Sequence, residues 1–222
     1  MQLLNRPQNK YWLAFGLCAL GAAMVFLPFY IVDGGIFLYA GDFNSQQIPF
    51  YYYANEFVKS GGGSFSWATD LGSGFINSYS FYLVGSPFWW LSLLFPAAWL
   101  PFLMAPLLVL KFAVAGGGAY LWLRRYTKDP NMAVLGACLY AFSGFTVYNV
   151  FFNHFVDVVA LFPYLLWARK APGPLCAAGG AEPAEQLLLF CRADRVPADL
   201  FYLHDRKRHL QVQRAGLCGP CF

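Results

Sequence analysis

The segment Gly41-Asp42-Phe43-Asn44-Ser45-Gln46-Gln47 runs straight into Ile48-Pro49-Phe50-Tyr51-Tyr52-Tyr53, so a carboxylate, three amides and a hydroxyl crowd against aromatic rings. A carboxylate in that company can accept a proton or hold a divalent ion, while amides and phenols orient a polar ligand. Asp42, Asn44, Gln47 and Tyr51 are the candidate site residues here. The segment follows a strongly apolar run, and polar groups beside a membrane span are expensive enough to suggest a purpose. Tyr and Trp also gather at headgroup depth for purely physical reasons. Local chemistry leaves the site and the plain interfacial loop level.

A second polar group, Asn149, Asn153, His154 and Asp157, falls within nine residues. His154 and Asp157 are three apart, so a helix carries them on one face. They can bind phosphate or sugar, or hydrogen-bond each other at a helix end; the structural role is the plainer one. Lys111 stands near the middle of an apolar stretch that ends at Leu123. A lone lysine at that depth costs about 2.5–3.5 kcal/mol, so it should face a cavity or pair with a carboxylate. Snorkelling is the weaker option over such a distance. We favour the cavity, which adds Lys111 to His154 and Asp157 as candidate ligand contacts.

The elements that position these residues belong to a membrane protein. Of 222 residues, 59% are apolar and only 12% are charged, against about 25% charged in soluble domains. The lipid bilayer is therefore the expected partner. The net charge of +4 is small, and no basic run alternates with aromatics, so no nucleic-acid partner is expected. The N-terminal apolar run, Tyr11 to Val32, is longer than the ~7–15 residues of a signal core and reads as a retained span. Cys18 and Cys138 lie inside apolar runs, where a thiol acts as a small hydrophobe. Cys218-x-x-Cys221 with His204 and His209 lacks a second closely spaced pair, so no zinc site is expected.

Charge sets the expected topology. Arg6 and Lys10 precede the first span without an acidic offset, which places the N-terminus in the cytoplasm. Gly16, Gly21, Ala22 and Ala23 suit close helix packing, and Asp33-Gly34-Gly35 breaks the span. The first outer loop, 33 to 86, carries Asp33, Asp42, Glu56, Lys59 and Asp70, a net of −3. Within it Phe50 to Ser60 reads as a short interfacial helix ended by Gly61-Gly62-Gly63-Ser64. Phe102 to Leu123 crosses inward to Arg124, Arg125 and Lys128. An odd number of crossings is needed, so the proline-punctuated stretch Asn77 to Phe95 is re-entrant or interfacial. Asn131 to Val150 crosses outward, with Gly136 and Gly144 permitting close packing, and Val158 to Trp167 returns to Arg169-Lys170. That return is short, so the His154 group dips into the outer leaflet on the same side as Asp42. The expected fold class is all-α, a polytopic transmembrane domain over 1 to 170.

From about Ala171 the character changes. Residues 171 to 222 hold eleven of the 26 charged residues, with no helical or strand period. A disordered tail is one reading. The other is a shifted reading frame. With synonymous codons chosen freely, a shifted frame through Gly180 to Phe190 can encode Ala-Leu-Asn-Leu-Leu-Asn-Asn-Tyr-Phe-Phe-Phe. Asp194 to Tyr202 can likewise give Ile-Val-Phe-Leu-Leu-Ile-Tyr-Phe-Ile, a membrane segment. We prefer the frame-shifted span.

The series Gly41-Asp42-x-x-x-Gln46-Gln47-x-Pro49-Phe50-Tyr51, Trp67-x-Thr69-Asp70-Leu71-Gly72-x-Gly74, Ser143-Gly144-Phe145 and Asn153-His154-Phe155-x-Asp157 resembles the YfhO family of bacterial membrane proteins. The similarity covers residues 1 to about 170, the N-terminal part of a longer polytopic protein. It implies a fold related to the GT-C membrane glycosyltransferases. The implied role is glycosylation of a cell-envelope polymer acceptor from a polyprenyl-phosphate sugar at the bacterial plasma membrane. In GT-C enzymes an acidic residue of the first outer loop acts as base or metal ligand, and Asp42 is the matching position. The resemblance thus implies Asp42 as the catalytic carboxylate, with a divalent metal ion as the one cofactor to consider. Two other functions fit the residues. A transporter or flippase would line its path with Lys111 and glycine-rich spans, and a non-catalytic membrane scaffold would need neither.

Overall fold

The computed structural model describes residues 7–169. The division at residue 171, the shifted-frame reading, and the Cys218, Cys221, His204 and His209 set lie outside them. The described chain is helical apart from one two-residue hairpin. Helix α1 is Pro7–Val32, α2 Ile48–Lys59, α3 Phe75–Tyr79, α4 Pro87–Ser92, α5 Leu100–Leu123, α6 Pro130–Ala141, α7 Gly144–Tyr148 and α8 Asn153–Arg169. Strand β1 (Phe65–Ser66) pairs antiparallel with β2 (Ser73–Gly74).

Among the described residues three segments are long and apolar enough to cross a membrane: Asn9–Val32, Ala97–Leu123 and Pro130–Tyr148. The apolar stretch Asn153–Ala168 is shorter. Helix α5 is the central one, with α1, α6 and α8 packed around it. The cause is its run of small residues. A Cβ at Gly116 would collide with Cys18 Sγ of α1, one at Gly117 would lie 2.9 Å from the Tyr11 ring, and one at Gly118 2.5 Å from the Tyr164 ring of α8. Three consecutive glycines thus seat α5 against helices on two sides, the close approach that small residues permit in lipid. Helix α1 answers with Ala14, Cys18, Ala22 and Phe26 at four-residue spacing, all buried, while Leu20, Met24, Leu27 and Ile31 stay exposed on the rest of its surface.

The helix ends are fixed by polar contacts. Asp129 caps α6 by accepting from Asn131 N at 2.8 Å, with Pro130 at the first helical position. Asn131 Oδ1 in turn accepts from Lys10 Nζ at 2.8 Å, tying the start of α1 to the start of α6. At the same end Arg125 lies over the Trp167 ring of α8, 5.4 Å from its centroid. Helices α1, α5, α6 and α8 therefore alternate in direction. Pro163 in α8 has no N–H for the carbonyl of Val159; Tyr140 of α6 donates its hydroxyl to that oxygen at 3.0 Å.

The segment between α1 and α5 is a cap of short pieces. The expected interfacial helix is α2, entered through a π-helical turn at Phe43–Gln47 and closed after Ser60. Gly61 (φ +74°) donates to Val58 O and Gly62 to Phe57 O, a left-handed helix stop that only glycine adopts without strain. Between Asn77 and Phe95 lie only α3, a π-turn and α4, none long enough to cross. The expected outward span Asn131 to Val150 is broken at Phe142–Ser143 into α6 and α7. Gly136 does pack closely, 2.8 Å from Leu123 for a Cβ, and Gly21 meets Phe142 at 2.9 Å. Gly16 and Gly144 meet nothing within 4 Å; Gly144 instead opens α7 behind the Ser143 cap.

Candidate functional site

Lys111 lies at the midpoint of α5 and is fully buried. Its Nζ donates to Asn153 Oδ1 at 2.7 Å and to Asn153 O at 3.2 Å, and stands 2.5 Å from Asp157 Oδ1. An ammonium has three donors, and three acceptors surround this one. The Phe88 ring of α4 closes the remaining side at 5.5 Å. The cavity favoured for Lys111 is therefore filled by a carboxylate and an amide. Asp157 Oδ1 has no partner besides Lys111, whose charge balances it. Asn153 and Asp157 are four residues apart on α8, so one helix face presents both.

The cap covers this ion pair from above. Ser86, the N-cap of α4, is within hydrogen-bonding reach of both Asp157 and Tyr51. Tyr51 of α2 is buried and also reaches Asn153. Burial and the Asp157 charge together push its phenol well above the usual tyrosine range, so it stays a hydroxyl. Gln47, fully buried, points Nε2 at His154 Nδ1 across 3.5 Å, and its Oε1 has no partner. His154 does not bond Asp157. Its ring sits in an aromatic box, 4.8 Å from Phe81, 4.8 Å from Tyr82 and 4.5 Å from Phe155.

Asp42 is partly exposed and leads the π-turn without a side-chain capping bond. Gly41 (φ +47°) presses its backbone on Phe151, where a Cβ would stand 2.6 Å from the ring. The Asp42 turn is thereby docked on the chain just before α8. Asn44 is spent locally: its amide oxygen accepts from Tyr39 N at 3.0 Å and its nitrogen donates to Tyr39 O at 3.1 Å. It braces the turn.

The structure thus gathers Gln47, Tyr51, Lys111, His154 and Asp157 into one buried polar centre, sets Asp42 on the turn leading into it, and gives Asn44 a backbone role. Asn153 and Ser86 were not among the candidate contacts. The i, i+4 spacing of Asn153 and Asp157 was the available signal for the first; nothing local marked Ser86, which arrives through the fold of the cap. Among the described residues no three of His, Cys, Asp or Glu converge on one point. The donor set of the described residues therefore does not fit an all-protein metal cage.

No curated protein and no solved structure matches the chain. The family model for bacterial membrane protein YfhO matches residues 14–170, which include every residue of this centre, and the chain belongs to the YfhO family.

Proposed function

We propose that this membrane protein is the N-terminal part of a GT-C-type glycosyltransferase, taking sugar from a polyprenyl-phosphate carrier on the outer face of the bacterial plasma membrane and passing it to an envelope polymer. The observation that carries this reading is the docking of the first outer loop on the start of α8, through Gly41 on Phe151 and Gln47 beside His154. It sets an accessible carboxylate beside a buried polar centre. Asp42 accepts the proton of the acceptor hydroxyl. Gln47, Tyr51 and His154 orient the donor, and the Lys111–Asp157 pair holds α5 and α8 in register beneath them.

Transfer of radiolabelled sugar from a polyprenyl-phosphate donor, measured in membranes holding the complete protein, tests it. Asp42→Asn keeps size and removes the base, so transfer should fall about 10²- to 10⁴-fold while insertion stays normal. Gln47→Ala removes a neutral hydrogen bond, on the order of 1 kcal/mol or about five- to tenfold. Near-normal transfer by Asp42→Asn would leave an aromatic interfacial loop as the better account. The transporter reading loses its main supports, because Lys111 is neutralised by Asp157 and Gly116 to Gly118 are packed against side chains.

A further inference from the structure

The C-terminal half of α2 borders a cavity of about 520 Å³, whose wall includes Tyr53, Asn55, Glu56, Phe57, Lys59 and Ala97. Its far end is remote from the polar centre: Gln47 and Lys59 are twelve residues apart on a continuous helical path, ~18 Å at 1.5 Å per residue. Its size falls in the ~300–1,000 Å³ range of small-molecule sites.

Two features define what it would hold. Its aromatic wall is rigid: Phe57 stacks on Phe75 at 4.4 Å, and Tyr53 is fixed by hydroxyl contacts to Ser66 Oγ (2.8 Å) and Thr69 Oγ1 (2.7 Å). Its charges cancel, with one carboxylate, Glu56, and one ammonium, Lys59. Tyr52 donates to Glu56 Oε1 at 2.9 Å, and Lys59 Nζ reaches Phe95 O, so both heads are held in place with acceptors and donors to spare. Behind this wall Asn55 is fully buried, and its Nδ2 donates to Ser92 O and Phe95 O at 3.3 Å, which fixes α2 against the turn after α4.

Paired acceptors and donors with no net charge, set against aromatic rings, match a neutral polyhydroxylated ring and not an anion. We infer that this cavity is a carbohydrate-binding subsite, holding one or two neutral sugar units of the acceptor polymer away from the reacting end. The inference rests on the transferase reading for its biological sense, but binding can be measured without turnover.

The test is isothermal titration of the full chain in phospholipid nanodiscs, since sugar-headed detergents would compete. The probes are the methyl glycosides of glucose, galactose and N-acetylglucosamine, together with cellobiose and inorganic phosphate. At least one sugar should bind. Glu56→Ala should weaken it about tenfold, the scale of one charge-assisted hydrogen bond. Ala97→Trp, which fills the space without removing a polar group, should abolish it, and Asp42→Asn should leave it unchanged. No sugar binding, binding indifferent to Ala97→Trp, or binding of phosphate alone would overturn the assignment. Loss of transfer in Asp42→Asn with no sugar binding would leave the catalytic reading standing and remove this one.

Discussion

A lysine and an aspartate buried together are stable only as a pair. Lys111 has three acceptors from Asn153 and Asp157, and Asp157 has Lys111 as its counter-charge. Removing one partner strands the other charge in a low-dielectric interior, which costs about 3–5 kcal/mol, whereas replacing both with apolar side chains of similar volume is often neutral. Lys111→Met or Asp157→Leu alone should therefore lower the thermal midpoint of the purified protein sharply, and the double variant should recover most of the loss. Recovery of stability with recovery of sugar transfer makes the pair a structural strut. Stability restored without transfer would move Lys111 and Asp157 into the substrate-handling group. The sequence showed that Lys111 needed compensation, because hydropathy and depth alone say so. It did not show the partner, since residue 157 meets residue 111 only when α8 packs antiparallel on α5. Asn44 shows the converse: its side chain looked free to meet a ligand, yet two bonds to Tyr39 satisfy it.

Proline and glycine decide the helices at their points of contact. Tyr140 supplies the donor that Pro163 cannot give to Val159 O. Tyr140→Phe keeps the ring and strands that carbonyl, so stability should fall by about 1–3 kcal/mol. Adding Pro163→Ala restores the missing N–H and should recover part of the loss; no recovery would mean the hydroxyl acts elsewhere. The glycines divide the same way. Gly116→Ala drives a methyl into Cys18 and should destabilise by about 1–3 kcal/mol. Gly16→Ala meets nothing within 4 Å and should be neutral or slightly stabilising. Composition made Gly16 and Gly116 look alike, because a small residue in a span permits close packing without demanding it. Which glycine is used depends on helix rotation, and the apolar surface of α1 is too uniform around its circumference to reveal that.

At the scale of the whole molecule the problem is irregular backbone level with the middle of a span. Lys111 is central in α5, so its partner Asn153 places the start of α8, and the turns just before it, at that level. Non-helical backbone there survives only when protein or a water-filled cavity covers it. The cap supplies the cover: Gly41 lies on Phe151, and Tyr51 and Ser86 close over Asp157. The short apolar return 158 to 167 points to such a dip, while the cap's own fold, built from pieces of two to twelve residues, had no period to read. The basic residues then predict an orientation for the assembly. Lys10, Arg124, Arg125 and Lys128 flank the end where α1 meets α6 and α8, and the net-negative loop 33 to 86 includes the cap. Positive charge favours the cytoplasmic side. A tag at the N-terminus and one inserted near Lys128 should both report cytoplasm. Ser64→Cys, exposed beside β1, should react with an impermeant maleimide in intact cells once all six native cysteines are replaced by Ala. Reaction only after permeabilisation would invert the protein, move Asp42 and the Glu56–Lys59 cavity to the cytoplasmic face, and exclude the proposed envelope acceptor.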